Sequence, residues 1–285
     1  MHKTAAVLFS WKDSEKTQQK KEDLVSYLKD GFINHLYLVY TDVDENSLNE
    51  YENITEIRFS DHPGFGLTSK KVYDLAKSRF IDFLIRIDND FHLDNPQMIN
   101  SCCKYLLQNP TVGIVTGRLR LKDNSLNYAS VRYNYFGGKA EKNESETPIK
   151  TDSFLGAFFV VSMASLSNFD RFFDPNIILF GEELELALCL KSNNLESVYL
   201  PSISGVHECS GTMIENKNIY TKLKYLNHVY ILTKYKNKLN LVIYLIRTLI
   251  RFILKFDLFY IKIWLRMLRK KYVTKLEWNE SLKNL

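Results

Sequence analysis

The chain has 285 residues, 45% of them hydrophobic, 25% charged and 13% aromatic, with only 11 Gly and 6 Pro. That suffices for one large domain or two small ones around a core that needs no disulfides, and it excludes disordered, collagen-like and low-complexity chains. The net charge of +5 is unevenly spread: residues 236–273 hold ten Lys or Arg against one acid, Asp257, and sum to +9, leaving −4 for the rest. Four cysteines, Cys102, Cys103, Cys189 and Cys209, are too few for a disulfide scaffold, so reduced thiols in a cytosolic setting are expected. No export signal is expected, because residues 1–11 carry only a short apolar run before a charged stretch. In the tail the longest uncharged run, 239–246, is far below the roughly 20 residues of a spanning helix.

Taken in chain order, residues 5–10 form a continuous apolar run suited to a strand buried on both faces. A Lys/Glu-rich stretch follows and ends at helical spacing in Leu24, Val25 and Leu28. Residues 36–40, 54–59 and 83–87 read as further strands, 68–79 and 97–108 as helices, and 112–116 as another strand. Strands alternating with helices predict an α/β fold with a mixed, mostly parallel sheet flanked by helices. Ligands of such sheets bind beyond the carboxyl ends of the strands, where Ser10, Asp42 and Asp88–Asp90 fall. Beyond residue 121 the pattern loosens. The polar stretch 137–150 predicts a mobile loop, 154–161 a strand, 181–192 a helix and 198–200 a short strand, with 201–207 leading into a loop.

Asp88-Asn89-Asp90 places two carboxylates on backbone leaving a strand, a pattern that can hold a divalent cation bridging phosphate oxygens. A solvated acidic turn is the plain alternative, and Asp42-Val43-Asp44 is a second match. The strand-end position is what favours the pair at 88 and 90. Glu182 and Glu183 open a helix, where the dipole favours carboxylates whether or not one serves as a general base. His207 stands beside Glu208 and Ser210; alone, it is as readily structural as metal-binding.

Together these pieces resemble family 2 glycosyltransferases, inverting enzymes of the GT-A fold (Rossmann-like, nucleotide-diphospho-sugar-binding), from about residue 5 to 213. The resemblance rests on Val7-Leu8-Phe9-Ser10-Trp11, the D-x-D at Asp88 and Asp90, Gly156-Ala157-Phe158-Phe159-Val160-Val161, Phe172-Phe173-Asp174 with Phe180-Gly181-Glu182-Glu183, and Pro201 to His207 with Ser210. It implies that Ser10, Trp11 and Asp42 flank the nucleotide base and ribose, and that Asp88 and Asp90 bind ribose and a Mg2+ or Mn2+ ion. It implies that His207 completes the metal or diphosphate contact, that Gly156 and Ala157 line the acceptor side, and that Glu183 or Glu182 is the base. Lys70 stands near where many members carry Asn, and whether it meets the diphosphate is left open. The implied activity is inverting transfer of a hexose or deoxyhexose from a nucleotide-diphosphate sugar to a glycan or lipid-linked glycan acceptor, in bacterial surface-polysaccharide synthesis.

The tail is read separately. Arg247, Arg251, Lys255, Lys262, Arg266 and Arg269 fall in one helical arc beside a wide aliphatic and aromatic face, as two helices joined near Asp257. This predicts residues 1–222 as the catalytic domain and 223–285 as a basic amphipathic anchor. The anchor would bind an anionic membrane surface through 236–273, peripheral on the inner face of the cell membrane. A hairpin packed on the body or on a homodimer partner is the alternative. A sugar nucleotidyltransferase is disfavoured because no Gly-rich phosphate loop follows the first strand, and a dinucleotide oxidoreductase because Gly64-Phe65-Gly66 lacks the third spaced Gly. A non-catalytic membrane or nucleic-acid scaffold fits the tail but not the carboxylate set, and no nucleic acid is expected as a partner.

Overall fold

The structure is a computed structural model in which the described residues are 2–11, 15–61, 63–134, 139–169, 171–177, 179–208, 217–235, 238–255, 261 and 265. The chain runs β1 (Thr4–Trp11), α1 (Glu15–Lys29), β2 (His35–Thr41), β3 (Ser47–Tyr51), β4 (Ile54–Phe59), α2 (Phe65–Ser78), β5 (Phe83–Ile87), β6 (Phe91–Leu93) and α3 (Gln97–Gln108). It continues through β7 (Val112–Arg120), β8 (Leu126–Tyr128), β9 (Ser130–Asn134), β10 (Lys139–Asn143), β11 (Ile149–Lys150), β12 (Phe158–Ser162) and α4 (Met163–Leu166). α5 (Glu182–Ser192), β13 (Glu196–His207), α6 (Lys217–Lys234) and α7 (Lys238–Lys255) complete it. Two units divide the chain: Met1–Tyr133, Ala140–Pro175 and Glu182–Ser210 form one, and Asn134–Lys139, Asn176–Gly181 and Gly211–Leu285 the other.

The first unit is built on one sheet in the order β11-β13-β7-β12-β5-β1-β2-β4-β3, with β6 added on β13 and β8 on β7. β4, β2, β1 and β5 are parallel, β12 runs antiparallel between β5 and β7, and β7 and β13 are parallel again. α1 packs on β1 and β2, α3 on β7, β12 and β13, and α5 on β13. All seven residues of β2 and all five of β5 are buried, as expected of central strands covered on both faces. Cys102, Cys103 and Cys189 are buried free thiols, and burial pushes the Cys103 thiol up to about 11; Cys209 lies outside the described residues.

α1 spans the Lys/Glu-rich stretch from Glu15 to Lys29, its inner face set by buried Thr17, Lys20 and Leu24. Two expectations are corrected. The polar 137–150 segment is a loop only in part: β10 pairs with β9 and β11 joins β13, with residues 144–148 connecting them. Residues 135–138 lie outside the described set. Residues 201–207 are the second half of one long strand, β13. Its ladder with β7 shifts register between Tyr199 and Ser204, and this irregularity accommodates Pro201, which cannot donate to a regular ladder.

In the second unit the described α6 and α7 pack together, with the His228 and Tyr244 rings 4.5 Å apart. Burial, with Arg247 nearby, lowers the His228 pKa to about 4. Asn227 Nδ2 donates to the carbonyls of Leu179 and Phe180, both at 2.6 Å. α7 leaves Leu239, Val242, Ile246, Leu249, Ile250 and Ile253 exposed. Among the described residues no helix is long and apolar enough to cross a membrane. Asp257 and the expected helix beyond Lys255 lie outside them, apart from residues 261 and 265.

Candidate active site

β5 delivers the first carboxylate. Its register with antiparallel β12 sets Phe158 opposite Ile87, so the chain leaving β5 runs beside the chain entering β12. The Asp88 N–H donates to the Ala157 carbonyl at 3.0 Å, and the Phe91 N–H closes back on the Asp88 carbonyl at 3.2 Å. The D-x-D thus sits on a tight turn between β5 and β6, with Asp88 half-buried and Asp90 buried. Ala157, expected on the acceptor side, is buried and meets Asp88 through its backbone.

β13 delivers the histidine. β6 pairs antiparallel with its last residues, His207 opposite Phe91 and Gly205 opposite Leu93. His207 Nε2 therefore comes to 3.3 Å from Asp90 Oδ1, and the Glu208 N–H donates to the Asp90 carbonyl at 2.9 Å. His207 closes a strand rather than standing in a loop, which fixes the distance between ring and carboxylate. Gly205 is required here: a Cβ on it would lie 2.3 Å from the Phe91 ring and 2.5 Å from the His92 carbonyl.

α5 delivers the glutamates. Phe180 and Gly181, at φ 68° and 94°, turn the chain into the helix, and a bulky residue there is uncommon outside functional segments. Glu183 Oε1 lies 3.9 Å from the guanidinium of Arg86, the fourth residue of β5. The Arg86 Nε donates to Asp88 Oδ1 at 3.1 Å. Gly156, also expected on the acceptor side, is the opening through which these groups meet. A Cβ on it would lie 2.3 Å from Glu183 Oε1 and 2.9 Å from the Arg86 guanidinium carbon.

Burial raises the pKa of Glu182, Glu183 and Asp88, and the neighbours oppose or add to the rise. Glu182, buried and with Oε2 lacking a hydrogen-bond partner, is pushed up to about 8 by burial and then by the Glu183 charge. Glu183 is raised by burial, with Arg86 and the Gly156 N–H acting against the rise. Asp88 is likewise raised by burial and lowered in part by Arg86.

The nucleotide-side residues lie at neighbouring strand ends. The Ser10 and Thr17 hydroxyls are 2.7 Å apart, and Asn89 Nδ2 donates to Thr17 Oγ1 at 3.2 Å, so the middle residue of the D-x-D is tied to β1 through α1. Trp11 pairs in register with Thr41, whose hydroxyl donates to the Ser10 carbonyl at 3.4 Å. Asp42 follows β2 exposed, in a left-handed conformation with φ 62°. Lys70 donates to Asp74 one turn along α2 at 2.5 Å and lies 5.7 Å from the Tyr73 ring centre. Ser210 lies outside the described residues.

Sequence reasoning did not single out Arg86, Thr17 or Glu208. An arginine inside an otherwise apolar strand was the available signal for the first, and nothing local marked the others. Glu208 is flanked by Lys122 at 2.8 Å and Lys16 at 3.3 Å beside the Asp90 corner.

Among the described residues, no group of three or more His, Cys, Asp or Glu side chains is arranged as a closed cation cage. Asp90 and His207 supply an oxygen and a nitrogen side by side. That pair fits Mg2+ or Mn2+ as a half-site, since such ions take one or two protein carboxylates and complete their shell with substrate phosphates.

This sheet, with its helices, is the GT-A fold of nucleotide-sugar glycosyltransferases. The particular likenesses are two. The crystal structure of GalNAc-T7 with UDP, GalNAc and Mn2+ superposes with a TM-score of 0.59 at 11% identity, over 82% of this chain and 49% of that one. Mannosyltransferase PcManGT from Pyrobaculum calidifontis, in complex with GDP-Man and Mn2+, gives 0.56 at 11% identity over 83% and 64%. This chain thus spans about half the length of the first and less than two thirds of the second. No protein-family model and no curated protein matches it by sequence.

Proposed function

We propose that the protein transfers a sugar, with inversion, from a nucleotide-diphosphate sugar to a hydroxyl of a glycan or lipid-linked glycan, with Mg2+ or Mn2+ as cofactor. One observation carries this reading: the Asp88–Asp90 pair, Glu183 and His207, from three distant parts of the sequence, come together at the carboxyl end of β5. The two structural neighbours hold Mn2+ with UDP and with GDP-Man, and they support a nucleotide-sugar donor without selecting its base.

Asp88, Asp90 and His207 would hold the cation, which offsets the negative charge of the leaving diphosphate. Ser10, Trp11 and Asp42 would flank the nucleoside, with Lys70 beside the diphosphate. Glu183 is the base favoured by the geometry: its side chain is 18% exposed and Arg86 and the Gly156 N–H stabilise its charge, whereas Glu182 is closed off and holds a proton. The Glu183 carboxylate takes the acceptor hydroxyl proton, and the oxygen attacks the anomeric carbon. The carbon–oxygen bond to the diphosphate breaks as nucleoside diphosphate departs, inverting the configuration. The acceptor belongs to cell-surface glycan synthesis of bacterial type at an anionic membrane surface contacted through 236–273, a setting supported by the exposed apolar residues of α7 and the +9 tail.

Calorimetric titration with UDP, GDP and TDP, with and without Mn2+, tests the assignment. One of them should bind in a Mn2+-dependent way, and Asp90→Asn should weaken that binding about 10-fold or more. Unchanged binding by the variant would remove Asp90 from the cation site, and absence of any binding would remove the function.

A further inference from the structure

We infer that Arg86 is a positioning residue: its single guanidinium fixes the donor-side carboxylate Asp88 and the base Glu183 relative to one another. This rests on the sugar-transfer reading above and adds to it a residue that touches neither donor nor acceptor.

An arginine at the fourth of five buried strand positions is costly, because a charge must leave water and an apolar side chain would fill the same volume without that loss. Arg86 is nonetheless 4% exposed, in a strand that otherwise reads Phe, Leu, Ile and Ile. Its surroundings restrict it to one pose. The guanidinium carbon lies 4.6 Å from the Phe65 ring centre, 5.5 Å from Phe173 and 5.7 Å from Phe9, rings brought by α2, the segment before α5 and β1. Gly156 leaves the remaining side open.

From that pose the group acts in two directions. Nε holds Asp88 Oδ1 by a hydrogen bond at 3.1 Å, while one terminal nitrogen faces Glu183 Oε1 at 3.9 Å, an ion pair short of a hydrogen bond. That same nitrogen is buried and has no hydrogen-bond partner. A group placed only for stability would have its donors satisfied. A donor held open toward the base is what a site that tightens in the substrate complex requires. A planar fork can face two carboxylates at fixed angles, and an ammonium cannot. Asp88 takes part in donor binding and Glu183 in proton removal, so Arg86 sets the distance between the two halves of the reaction.

The test uses the full chain with Arg86→Lys and Arg86→Met. Three quantities are read: thermal midpoint, affinity for the Mn2+-nucleotide, and kcat with KM for the acceptor. Arg86→Met should lower kcat about 100-fold, the loss expected for a misplacement near 1 Å, with acceptor KM little changed and nucleotide affinity reduced. Arg86→Lys keeps a charge in the cluster and should fold with a midpoint near that of the parent, restore nucleotide affinity and leave kcat at least about 10-fold low. Full recovery of kcat in Arg86→Lys would reduce the residue to charge compensation and overturn the inference, as would an Arg86→Met protein with parental kcat. Should Arg86→Met not fold, Arg86→Lys decides alone on the same criterion. A parent chain that neither binds nor turns over nucleotide sugar would sink the proposed function instead, and this role with it.

Discussion

Glu182 and Glu183 share the first turn of α5, where a helix dipole lowers the cost of negative charge, yet burial outweighs the dipole at both. The Glu182 carboxyl is moved from 4.5 to about 8 by burial and then by the Glu183 charge. Between these values the folded chain holds a proton that the unfolded chain has released, so stability is greatest at the acid end and falls as pH rises through the window. Glu182→Gln replaces the carboxyl with a neutral group of the same shape and should flatten that slope. At pH 5 the variant and parent should unfold alike; at pH 8 the variant should be more stable by a few kcal/mol, on the order of 1.4 kcal/mol for each pKa unit removed. Urea unfolding at several pH values reads this directly. Equal slopes would mean that Glu182 is ionised in the folded chain and that its oxygen is partnered after all.

At the level of elements, the site depends on how strands end and on which strands pair there. β5 and β1 end where their apolar runs end, so Asp88, Asp90 and Ser10 were legible from sequence. Glu182 and Glu183 were legible from the first turn of a helix, and their proximity to Arg86 was not. His207 could be named, but its partner could not, because the β6–β13 ladder is three residues deep and β6 has no pattern of its own. Arg86 was hidden for the opposite reason, a charge inside a run that otherwise scores as plain core. The ladder itself is testable through Gly205. In Gly205→Ala the new methyl meets the Phe91 ring and the His92 backbone, which cannot yield without parting β6 from β13. The expected cost is about 1–3 kcal/mol in unfolding, as for other overpacked sites. Mn2+-dependent nucleotide binding should weaken about 10-fold, because His207 moves from Asp90. A variant that loses stability and keeps full affinity would show that His207 is placed by something other than this ladder.

At the scale of the whole molecule, charge and exposed apolar side chains are unevenly distributed along the chain. The remainder of the chain carries −4, and 236–273 carries +9. α7 adds a second asymmetry. Leu239, Val242, Ile246, Leu249, Ile250 and Ile253 recur at spacings of three and four and are all exposed, while Tyr244 is buried against His228. Residues 236–255 include five Lys or Arg and no acid. An exposed apolar stripe of this length is uncommon on a protein that meets only water. A stripe in a segment so rich in cations suits the boundary of an anionic bilayer, where apolar burial and attraction to headgroups add together. A helix too short in apolar length to cross a membrane can still lie on one. The full chain should therefore float with vesicles containing phosphatidylglycerol, less with vesicles of phosphatidylcholine alone, and less again as salt screens the charges. Ile246→Asp with Ile253→Asp places two carboxylates on the stripe without touching Tyr244, and should reduce the bound fraction about 10-fold or more while nucleotide binding is unchanged. If the parent chain does not float, and the same pair of substitutions converts a dimer to a monomer on a sizing column, the stripe is a contact between two copies. In that case lipid plays no part in covering it.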